Sequence, residues 1–479
     1  MKLLAAGFLM TATTLCTVTP ASAAPMIDWR PCPNDVAVQC ASLRVPVDWS
    51  RPEGRTIALR LVKLPALTPD RRIGTLFDIP GGPGERGTEA LKRPSELHSA
   101  LRRRFDVVGY DPRTAVALST LPASCTRTWS SLTDPRGHAA YAGQVRALSR
   151  RVAACRRDDR TGLLTHLDSI SAARDMEAVR RALGETRLTF TVRSYGGVPM
   201  TAYARLFPER VRAAYLDGVP DHVDAWTGRG REWLTGTEQA FDRFVSWCSA
   251  TTACELHGRN VRSLWRRLVR QSDAFPVPVL KGAFAGRKLT GWHLRISAPV
   301  LLLPGVAGDS SWRAFAAAVR GALRGDASGF AMPSLGNLRH WTRPVVLALQ
   351  CPDGLWGRTG YTALRGNRGL LERLSPDFGA LSYPNLACTG WTVPLANPPR
   401  PLPARRLPPF LGAGTHPGDY TPTRRLLRHI PGSATVRYDG PGHVIYLGGM
   451  PGAHCVVEHA VRYLTDLTLP SGAVCRAKK

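Results

Sequence analysis

One serine stands where the sequence predicts a strand to turn into a helix. Ser194 lies in the run VRSYGG at 192–197, after an apolar strand-like run and before a helix-like one. A serine on such a turn presents its hydroxyl at the C-terminal edge of a sheet, and the helix start offers backbone N–H groups to a developing oxyanion. The run predicts a nucleophile, although an ordinary strand–helix junction with a capping serine uses the same residue types.

An aspartate and a histidine follow Ser194 in an order that would let them activate it. His443 ends the run DGPGH at 439–443, in a loop from which an imidazole could take the serine proton. Asp419, in the loop THPGDYTP at 415–422, could hold that imidazole in the right tautomer. The order Ser194, Asp419, His443 is that of an α/β-hydrolase triad. Asp439 is the alternative acid, but its closeness to His443 in sequence favours a turn cap.

A glycine-rich loop could complete the same chemistry. The run PGGPG at 80–84 follows a short apolar run and must form a tight loop. The backbone N–H groups of Gly82 and Tyr195 are the predicted donors to the oxyanion of an acyl-transfer reaction. A plain surface turn is the alternative, and the sequence contains no phosphate loop of the GxxxxGK type.

Alternating strand and helix patterns must position these residues. Short apolar runs predict buried strands, and a periodic apolar pattern predicts a helix before Ser194. The predicted strands are 74–79, 105–110, 188–192 and 211–216, and the predicted helices are 170–183 and 194–206. Such alternation is typical of an α/β fold with a mostly parallel sheet and helices on both faces. Together with the order of Ser194, Asp419 and His443, it predicts the α/β-hydrolase fold.

The alternation fades between about Pro220 and Pro403. This segment is rich in Trp and in helix-like stretches such as 232–247 and 260–271, which predict an inserted, mainly helical cap. The alternation of strand and helix resumes with a strand at 407–413, a helix at 421–429, a strand at 435–438 and a closing helix at 453–467. We therefore predict a hydrolase core at 24–220 and 404–479, with the cap at 221–403.

The first residues predict export. Lys2, an apolar stretch to about Thr17 and the small-residue pattern ASA at 21–23 form a signal peptide over residues 1–23. Cys16 lies in a poor context for a lipid anchor. We therefore expect a secreted, extracellular protein.

Ten cysteines remain after this leader, an even number that indicates disulfides in an oxidising compartment. Spacing alone does not prove their connectivity. A metal site is the alternative, but no CxxC pair or histidine cluster supports one, so we predict no metal. Short spacings favour the pairs Cys32–Cys40, Cys125–Cys155, Cys248–Cys254 and Cys455–Cys475, which leaves Cys351 with Cys388.

The composition indicates a globular protein with a large core. The 479 residues are 44% hydrophobic and 21% charged, which excludes a disordered chain and a coiled coil. No run of 18 apolar residues follows the leader, so we expect no transmembrane segment in the mature protein. The formal net charge is +28, but the basic residues are spread along the chain without a nucleic-acid-binding motif, so we expect no nucleic acid partner. Weak attraction to anionic cell-envelope polymers remains a lesser possibility.

Several motifs in a fixed order give the chain a family resemblance over nearly its whole mature length. They include CASLRVPVD at 40–48, PGGPG at 80–84, FDVVGYDPR at 105–113, SYG at 194–196, LDGV at 216–219 and GPGH at 440–443. On these motifs the sequence resembles the secreted tripeptidyl aminopeptidase and proline-iminopeptidase-related group of actinobacterial α/β-hydrolases.

The resemblance implies a serine exopeptidase that removes single residues or short peptides from free N-termini, without a cofactor. It implies Ser194 as nucleophile, His443 as base and a carboxylate near Asp419 as the orienting acid. It also implies a helical cap that binds the amino end of the substrate. Glu232 and Glu238 are the cap acids expected to meet the substrate ammonium.

Four departures from the family pattern surround the predicted site. Val192 replaces the glycine of the serine turn, Glu85-Arg86 replaces Gly-Ser, and residues 114–116 replace Gly-Val-Gly. Gly418 stands where the family places its acid, so Asp419 is one position late. Two alternatives to the peptidase remain open: an esterase of the same fold, and a secreted binding protein on an impaired hydrolase scaffold.

Overall fold

The structure of the protein is a computed structural model. It describes residues 26–33, 35–128, 132–224, 226–302, 309–355, 360–379, 386–416, 418–440, 442–447 and 449–477. The predicted signal peptide at 1–23 lies outside the described residues. The described residues form one ten-stranded sheet, one two-stranded sheet and the helices that cover them.

The ten-stranded sheet forms the centre of the fold. Its strands are β1 (Arg30–Cys32), β2 (Asp35–Pro46), β3 (Thr56–Leu64), β4 (Gly74–Ile79), β5 (Phe105–Tyr110), β6 (Leu188–Arg193), β7 (Val211–Asp217), β10 (Leu411–Thr415), β11 (Ala434–Asp439) and β12 (Val474–Arg476). Their order is β1-β2-β3-β5-β4-β6-β7-β10-β11-β12. The pairings from β1 to β5 are antiparallel, and those from β5 through β4 to β12 are parallel. The predicted, mostly parallel sheet is confirmed.

Alternate side chains of the strands enter cores on opposite faces of this sheet. In β4, Phe77 belongs to the larger core and Leu76 to the smaller one, as the two-residue period of a strand requires. Helices Arg113–Thr120, Ala123–Thr126, His138–Asp158, Ser169–Ala182, Gly197–Leu206 and Tyr420–Arg428 contribute to the larger core. Helices Gly87–Lys92, Glu96–Leu101 and His454–Asp466 contribute to the smaller one. Both faces are therefore covered by helices.

The described chain between β7 and β10 is mainly helical. Its helices are Trp226–Ala250, Val261–Ala274, Gly291–Leu302, Asp309–Leu323, Ser328–Ala331, Asn337–Trp341, Pro344–Gln350 and Tyr361–Leu374, beside the short strands β8 (Val277–Pro278) and β9 (Lys288–Leu289). Phe241 packs against Phe244, Trp265 and Phe315 in an aromatic cluster. This cluster is continuous with the larger core of the sheet, so the helical segment packs on the sheet layer. The exact limits of a cap, 221–403, stay a prediction.

Both ends of one strand near the site differ from the predicted bounds, 407–413. β10 begins at Leu411 rather than at Leu407. Pro408 and Pro409 explain the difference, because proline has no N–H to donate within a central strand. The strand ends at Thr415, two residues beyond the predicted end and directly before the loop that carries Asp419.

Five disulfides join the ten described cysteines in the pairs that spacing favours. The pairs are Cys32–Cys40, Cys125–Cys155, Cys248–Cys254, Cys351–Cys388 and Cys455–Cys475. The last pair attaches the final helix to β12, and Cys351–Cys388 closes a loop within the helical segment. Within the described ranges, no helix combines the length and apolar character needed to cross a membrane.

Candidate active site

The turn after β6 holds Ser194 in a strained backbone conformation. β6 ends at Arg193, and Ser194 has a φ of +51°, a left-handed value that is uncommon for a residue with a side chain. The chain then passes through a single 3₁₀ turn into the next helix. A β-carbon on Gly196 would lie 2.5 Å from the carbonyl oxygen of Pro80, so glycine is required there.

Val192 fits this turn although it replaces a glycine of the family pattern. Its side chain is fully buried in the larger core, and its backbone pairs with Ile79 in β4 and Leu216 in β7. A β-branched residue suits such a central strand. The close contacts of the turn fall instead on Gly196 and Gly197, where added β-carbons would lie 2.5 Å from neighbouring atoms.

His443 stands between Ser194 and Asp419. Its Nε2 atom lies 2.7 Å from Ser194 Oγ, and its Nδ1 atom lies 2.7 Å from Asp419 Oδ2. Both are short hydrogen-bond distances. In the neutral imidazole, Nδ1–H donates to the carboxylate and Nε2 is left to accept the serine proton. The structure thus brings together the three residues that the sequence predicts for one site.

Neighbouring negative charge raises the pKa of His443. Burial, the largest single effect, lowers this pKa, but the charge and hydrogen bond of Asp419 together with the charges of Asp217 and Glu85 outweigh it. The result is a pKa of about 9. The surroundings therefore stabilise the imidazolium, which is the form produced when the histidine takes a proton.

The loop after β10 presents Asp419 to the histidine. Thr415 ends β10, and its hydroxyl donates to the carbonyl oxygen of Gly442 at 2.8 Å, which ties the acid loop to the histidine loop. Gly218 lies under the carboxylate with a φ of +63°, and a β-carbon there would lie 3.1 Å from Asp419 Oδ2. The one-position shift from Gly418 to Asp419 therefore still brings a carboxylate to the imidazole.

Two further aspartates near the site have other partners. Asp439, the alternative acid, forms an ion pair with Arg437 at 2.8 Å. Asp217 ends β7, is fully buried, and accepts the N–H groups of Ile445 and Tyr446 at 2.9 and 3.0 Å. Burial raises the pKa of Asp217 to about 6. Asp217 therefore anchors the histidine loop, a role that its place in the LDGV motif alone did not indicate.

The glycine-rich loop lies against the candidate nucleophile. A β-carbon on Gly81 would lie 2.9 Å from Ser194 Cβ, so glycine permits this approach. Gly82 has a φ of +109° and Gly84 a φ of +87°, both of which favour glycine. The loop and the turn that carry the predicted oxyanion donors, Gly82 and Tyr195, are thus packed directly against each other.

An ion-pair network lies beside the nucleophile, with Arg193 and Asp78 buried and the side chain of Glu85 39% exposed. Arg193 is 1% exposed and pairs with Asp78 at 2.5 Å and with Glu85 at 3.0 Å. Asp78 also accepts a hydrogen bond from the hydroxyl of Tyr446 at 2.9 Å. Burial opposes ionisation of Asp78, but the Arg193 guanidinium holds the pKa of that carboxyl far below its ordinary value. The sequence analysis missed this network; its signal was an arginine inside an apolar strand and a glutamate in a glycine-rich loop.

The side chain of Tyr195 joins the serine turn to the helical segment. Its hydroxyl donates to the carbonyl oxygen of Leu349 at 2.5 Å and lies 3.1 Å from Asp353 Oδ2. Asp353 is fully buried and also accepts the N–H of Ser169 at 2.9 Å and the side-chain amide of Asn397 at 3.1 Å. Burial, together with a neighbouring carboxylate, raises the pKa of Asp353 to about 7.

The contacts of Glu238 do not favour its predicted meeting with a substrate ammonium. Its Oε1 atom accepts the hydroxyl of Ser375 at 2.6 Å and the N–H of Asp377 at 2.9 Å, and Oε2 lies 3.6 Å from Arg262. The carboxylate is therefore engaged inside the helical segment. The side chain of Glu232 lies outside the described part of the chain, so both assignments stay predictions.

Two groups of described side chains bring possible metal ligands within 4.8 Å of one another. One contains the Cys455–Cys475 disulfide, whose sulfurs are not thiolates and do not suit a metal. The other consists of Asp221, Asp224 and His429, where His429 Nε2 lies 3.8 Å from Asp224 Oδ1. Neither group contains Ser194, Asp419 or His443, and neither enters the chemistry proposed below.

Comparisons with known proteins identify two matching family models and several relatives of the chain. Residues 75–290 match the profile of the alpha/beta hydrolase fold, and residues 375–475 match that of a TAP-like protein. Serine protease Hip1 of Mycobacterium tuberculosis is 35% identical over 250 residues, which are 48% of this chain and 46% of that protein. The match thus spans about half the length of that relative.

Two other relatives align over longer stretches. Tripeptidyl aminopeptidase of Streptomyces lividans is 28% identical over 413 residues, or 80% of this chain and 74% of that one. Carboxylesterase B of Mycobacterium tuberculosis is 26% identical over 487 aligned positions, or 93% and 89% of the two chains. The predicted α/β-hydrolase fold is therefore confirmed, and so is the predicted resemblance of the chain to the actinobacterial tripeptidyl aminopeptidases.

Proposed function

We propose that this chain is a secreted serine peptidase that acts at the free amino terminus of peptides. The observation that carries the proposal is the continuous contact from Asp419 through His443 to Ser194, with both distances at 2.7 Å. The strained turn of Ser194 at the end of a parallel strand supports the same role. Relatives named serine protease and tripeptidyl aminopeptidase support a peptide substrate, and the five disulfides support export.

The proposed reaction runs through an acyl-enzyme. Ser194 Oγ attacks the scissile carbonyl carbon while His443 Nε2 takes the hydroxyl proton, and the N–H groups of Gly82 and Tyr195 donate hydrogen bonds to the resulting oxyanion. His443 gives the proton to the leaving amine as the C–N bond breaks. A water molecule then attacks the ester carbonyl carbon while His443 Nε2 takes its proton, and the imidazolium returns that proton to Ser194 Oγ as the acyl C–O bond breaks. Asp419 stays ionised throughout and stabilises the imidazolium.

The helical segment supports action at the end of a peptide rather than in its middle. It packs on the same core as the sheet, and it reaches the serine turn through the contacts of Tyr195 with Leu349 and Asp353. Because the helical segment lies so close to Ser194 on one side, the site should bind the end of a peptide more readily than the middle of a continuous chain. The name of the Streptomyces relative adds the choice of the amino end.

Fluorophosphonate labelling of the disulfide-intact protein, measured by intact mass, tests the nucleophile. We expect one adduct on the wild type, one on the control Ser246→Ala, which changes an exposed serine on a helix, and none on Ser194→Ala. An adduct that persists on Ser194→Ala contradicts the assignment. No adduct on folded wild type contradicts the enzyme and favours the binding-protein alternative. Peptides with free and blocked N-termini then test the preference for the amino end.

An esterase is the second candidate, because Carboxylesterase B is matched over most of its length. The same acyl-enzyme chemistry serves both substrates, so the triad does not separate them. A panel of acyl esters measured beside the peptides does. A larger kcat/KM on esters, with no effect of blocking the peptide N-terminus, would favour the esterase.

A further inference from the structure

The carboxylate of Glu85 contacts both the glycine-rich loop and the strand end that precedes Ser194, yet the mechanism above does not use it. Glu85 directly follows Gly84, where the family pattern continues with glycine. Its Oε2 atom accepts the N–H of Gly81 at 2.9 Å, and its Oε1 atom accepts from Arg193 Nη2 at 3.0 Å. One side chain therefore holds the glycine-rich loop and also the residue that precedes Ser194.

The nucleophile and this carboxylate flank the same glycine. A β-carbon on Gly81 would lie 2.9 Å from Ser194 Cβ and 3.2 Å from Glu85 Oε2. Gly81 is thus confined between them. The peptide unit that follows Gly81 carries the N–H of Gly82, so the direction of that donor depends on how firmly Gly81 is held.

Arg193 gives the loop a fixed point of attachment. Its guanidinium donates to Asp78 Oδ2 at 2.5 Å and to the hydroxyl of Tyr446 at 3.0 Å, in addition to Glu85. Asp78 lies in β4, directly before the loop begins, and Glu85 closes the loop. The same buried guanidinium therefore ties the loop at its start and at its end. Charged hydrogen bonds of this kind are stronger and more directional than neutral ones.

We propose that Glu85 is a positioning residue that, through Arg193, fixes the distance and direction of the oxyanion loop relative to Ser194. This inference rests on the proposed function. A bare carboxylate beside a developing oxyanion would oppose it, but the guanidinium of Arg193 pairs with Glu85 and offsets that charge. The departure from the family pattern at Glu85 is thereby matched by a buried partner.

Glu85→Gln tests the proposal, with Glu89→Gln as the matched control. Glu89 lies four residues further along, is half exposed, and pairs with Lys92 at 2.7 Å on the surface. We expect Glu85→Gln to lower kcat and the fluorophosphonate labelling rate by about 10- to 100-fold, below the 10²- to 10³-fold cost of deleting an oxyanion donor. KM should stay within about threefold, and Glu89→Gln should match the wild type.

The pH profile separates positioning from a merely structural role. Glu85 is one of the negative charges that raise the pKa of His443. Its neutralisation should therefore shift the alkaline rise of activity of Glu85→Gln to lower pH, whereas Glu89→Gln should leave it in place. A variant that only loosened the fold would lose activity without this shift.

Several outcomes would overturn the proposal. Wild-type kcat in Glu85→Gln would show that the loop needs no tie, and a faster variant would show that the charge opposes the oxyanion. A raised KM with unchanged kcat would make Glu85 a substrate contact. If Glu85→Gln does not fold, Glu85→Asp decides, because it keeps the charge but is too short for both contacts and should also lose kcat. Failure of the wild type to label at Ser194 would instead refute the proposed function itself.

Discussion

Asp419→Asn is the substitution that tests the proposed triad most directly. The carboxylate lies 2.7 Å from His443 Nδ1, and His443 Nε2 lies 2.7 Å from Ser194 Oγ. An asparagine keeps the size of the side chain but carries no charge to stabilise the imidazolium. If its NH₂ group faces Nδ1, the imidazole adopts the tautomer in which Nε2 carries the proton and cannot accept that of the serine.

The expected loss is large because both effects act on the transition state. We expect kcat to fall about 10⁴-fold, as when a triad aspartate is neutralised with its geometry intact. At 1.36 kcal/mol for each factor of ten, this is about 5 kcal/mol of lost transition-state stabilisation. KM should change little, because Asp419 approaches the imidazole on the side away from Ser194.

The same substitution should move the pH dependence of the reaction. Only neutral imidazole takes the serine proton, so wild-type activity should rise with pH through the pKa of His443, which neighbouring negative charges, Asp419 foremost, raise to about 9. Without the carboxylate, burial still lowers this pKa, so the residual activity of Asp419→Asn should reach its plateau at lower pH. A wild-type profile centred at or below the ordinary value of about 6.5 would refute the charge argument.

The assay is kcat and KM between pH 5 and 10 on a chromogenic peptide with a free N-terminus. Asp439→Asn is the matched control, because it makes the same chemical change four residues before His443, on a carboxylate paired with Arg437. We expect that control to retain wild-type kcat and the wild-type profile. Asp419→Asn activity within tenfold of the wild type, or an equal loss in Asp439→Asn, would show that the acid is wrongly assigned.

Three further variants test the residues that support the site. Gly196→Ala places a β-carbon 2.5 Å from a loop carbonyl oxygen and should abolish labelling, whereas Gly143→Ala, with no atom within 4 Å, should label normally by intact mass. The fold raises the pKa of Asp217 to about 6, so the contribution of this group to the free energy of unfolding should decrease by up to about 3 kcal/mol as the pH rises from 4 to 6. Denaturant unfolding of Asp217→Asn should lack this contribution. Replacing Cys351 and Cys388 together by alanine removes a crosslink across a sequence separation of 37. The free energy of unfolding, measured in denaturant, should decrease by about 3–4 kcal/mol.

The three residues of the contact could be predicted because each follows a predicted strand. The carboxyl ends of parallel strands meet at one edge of the sheet, so side chains in the next loops come close together without any long-range information. The wrong bounds predicted for β10 did not change the prediction of Asp419, because this residue lies in the loop that follows the strand under either set of bounds. The order of Ser194, Asp419 and His443 then restricted their roles.

The supporting contacts could not be predicted, because they join distant parts of the chain. Arg193 lies 108 residues from Glu85 and 115 from Asp78, and spacing says nothing about which loop folds back onto a strand. An arginine inside an apolar strand and a glutamate inside a glycine-rich loop are each unusual, and together they carry opposite charges. Glu238 is a similar case: the sequence predicts that this helix acid meets the substrate ammonium, but it does not predict the contacts of the carboxylate with Ser375 and Arg262 in the fold.

Tyr195 makes the oxyanion site depend on the helical segment as well as on the sheet. Its peptide N–H is a proposed oxyanion donor, while its hydroxyl is held by Leu349 and lies beside Asp353. Cys351 lies between those two residues in sequence, and its disulfide to Cys388 fixes their stretch of chain. A movement of the helical segment that breaks these bonds would also disturb the residue next to the nucleophile. If Tyr195 donates to the oxyanion as proposed, we expect these contacts to persist during turnover and any opening that admits substrate to occur elsewhere in the helical segment.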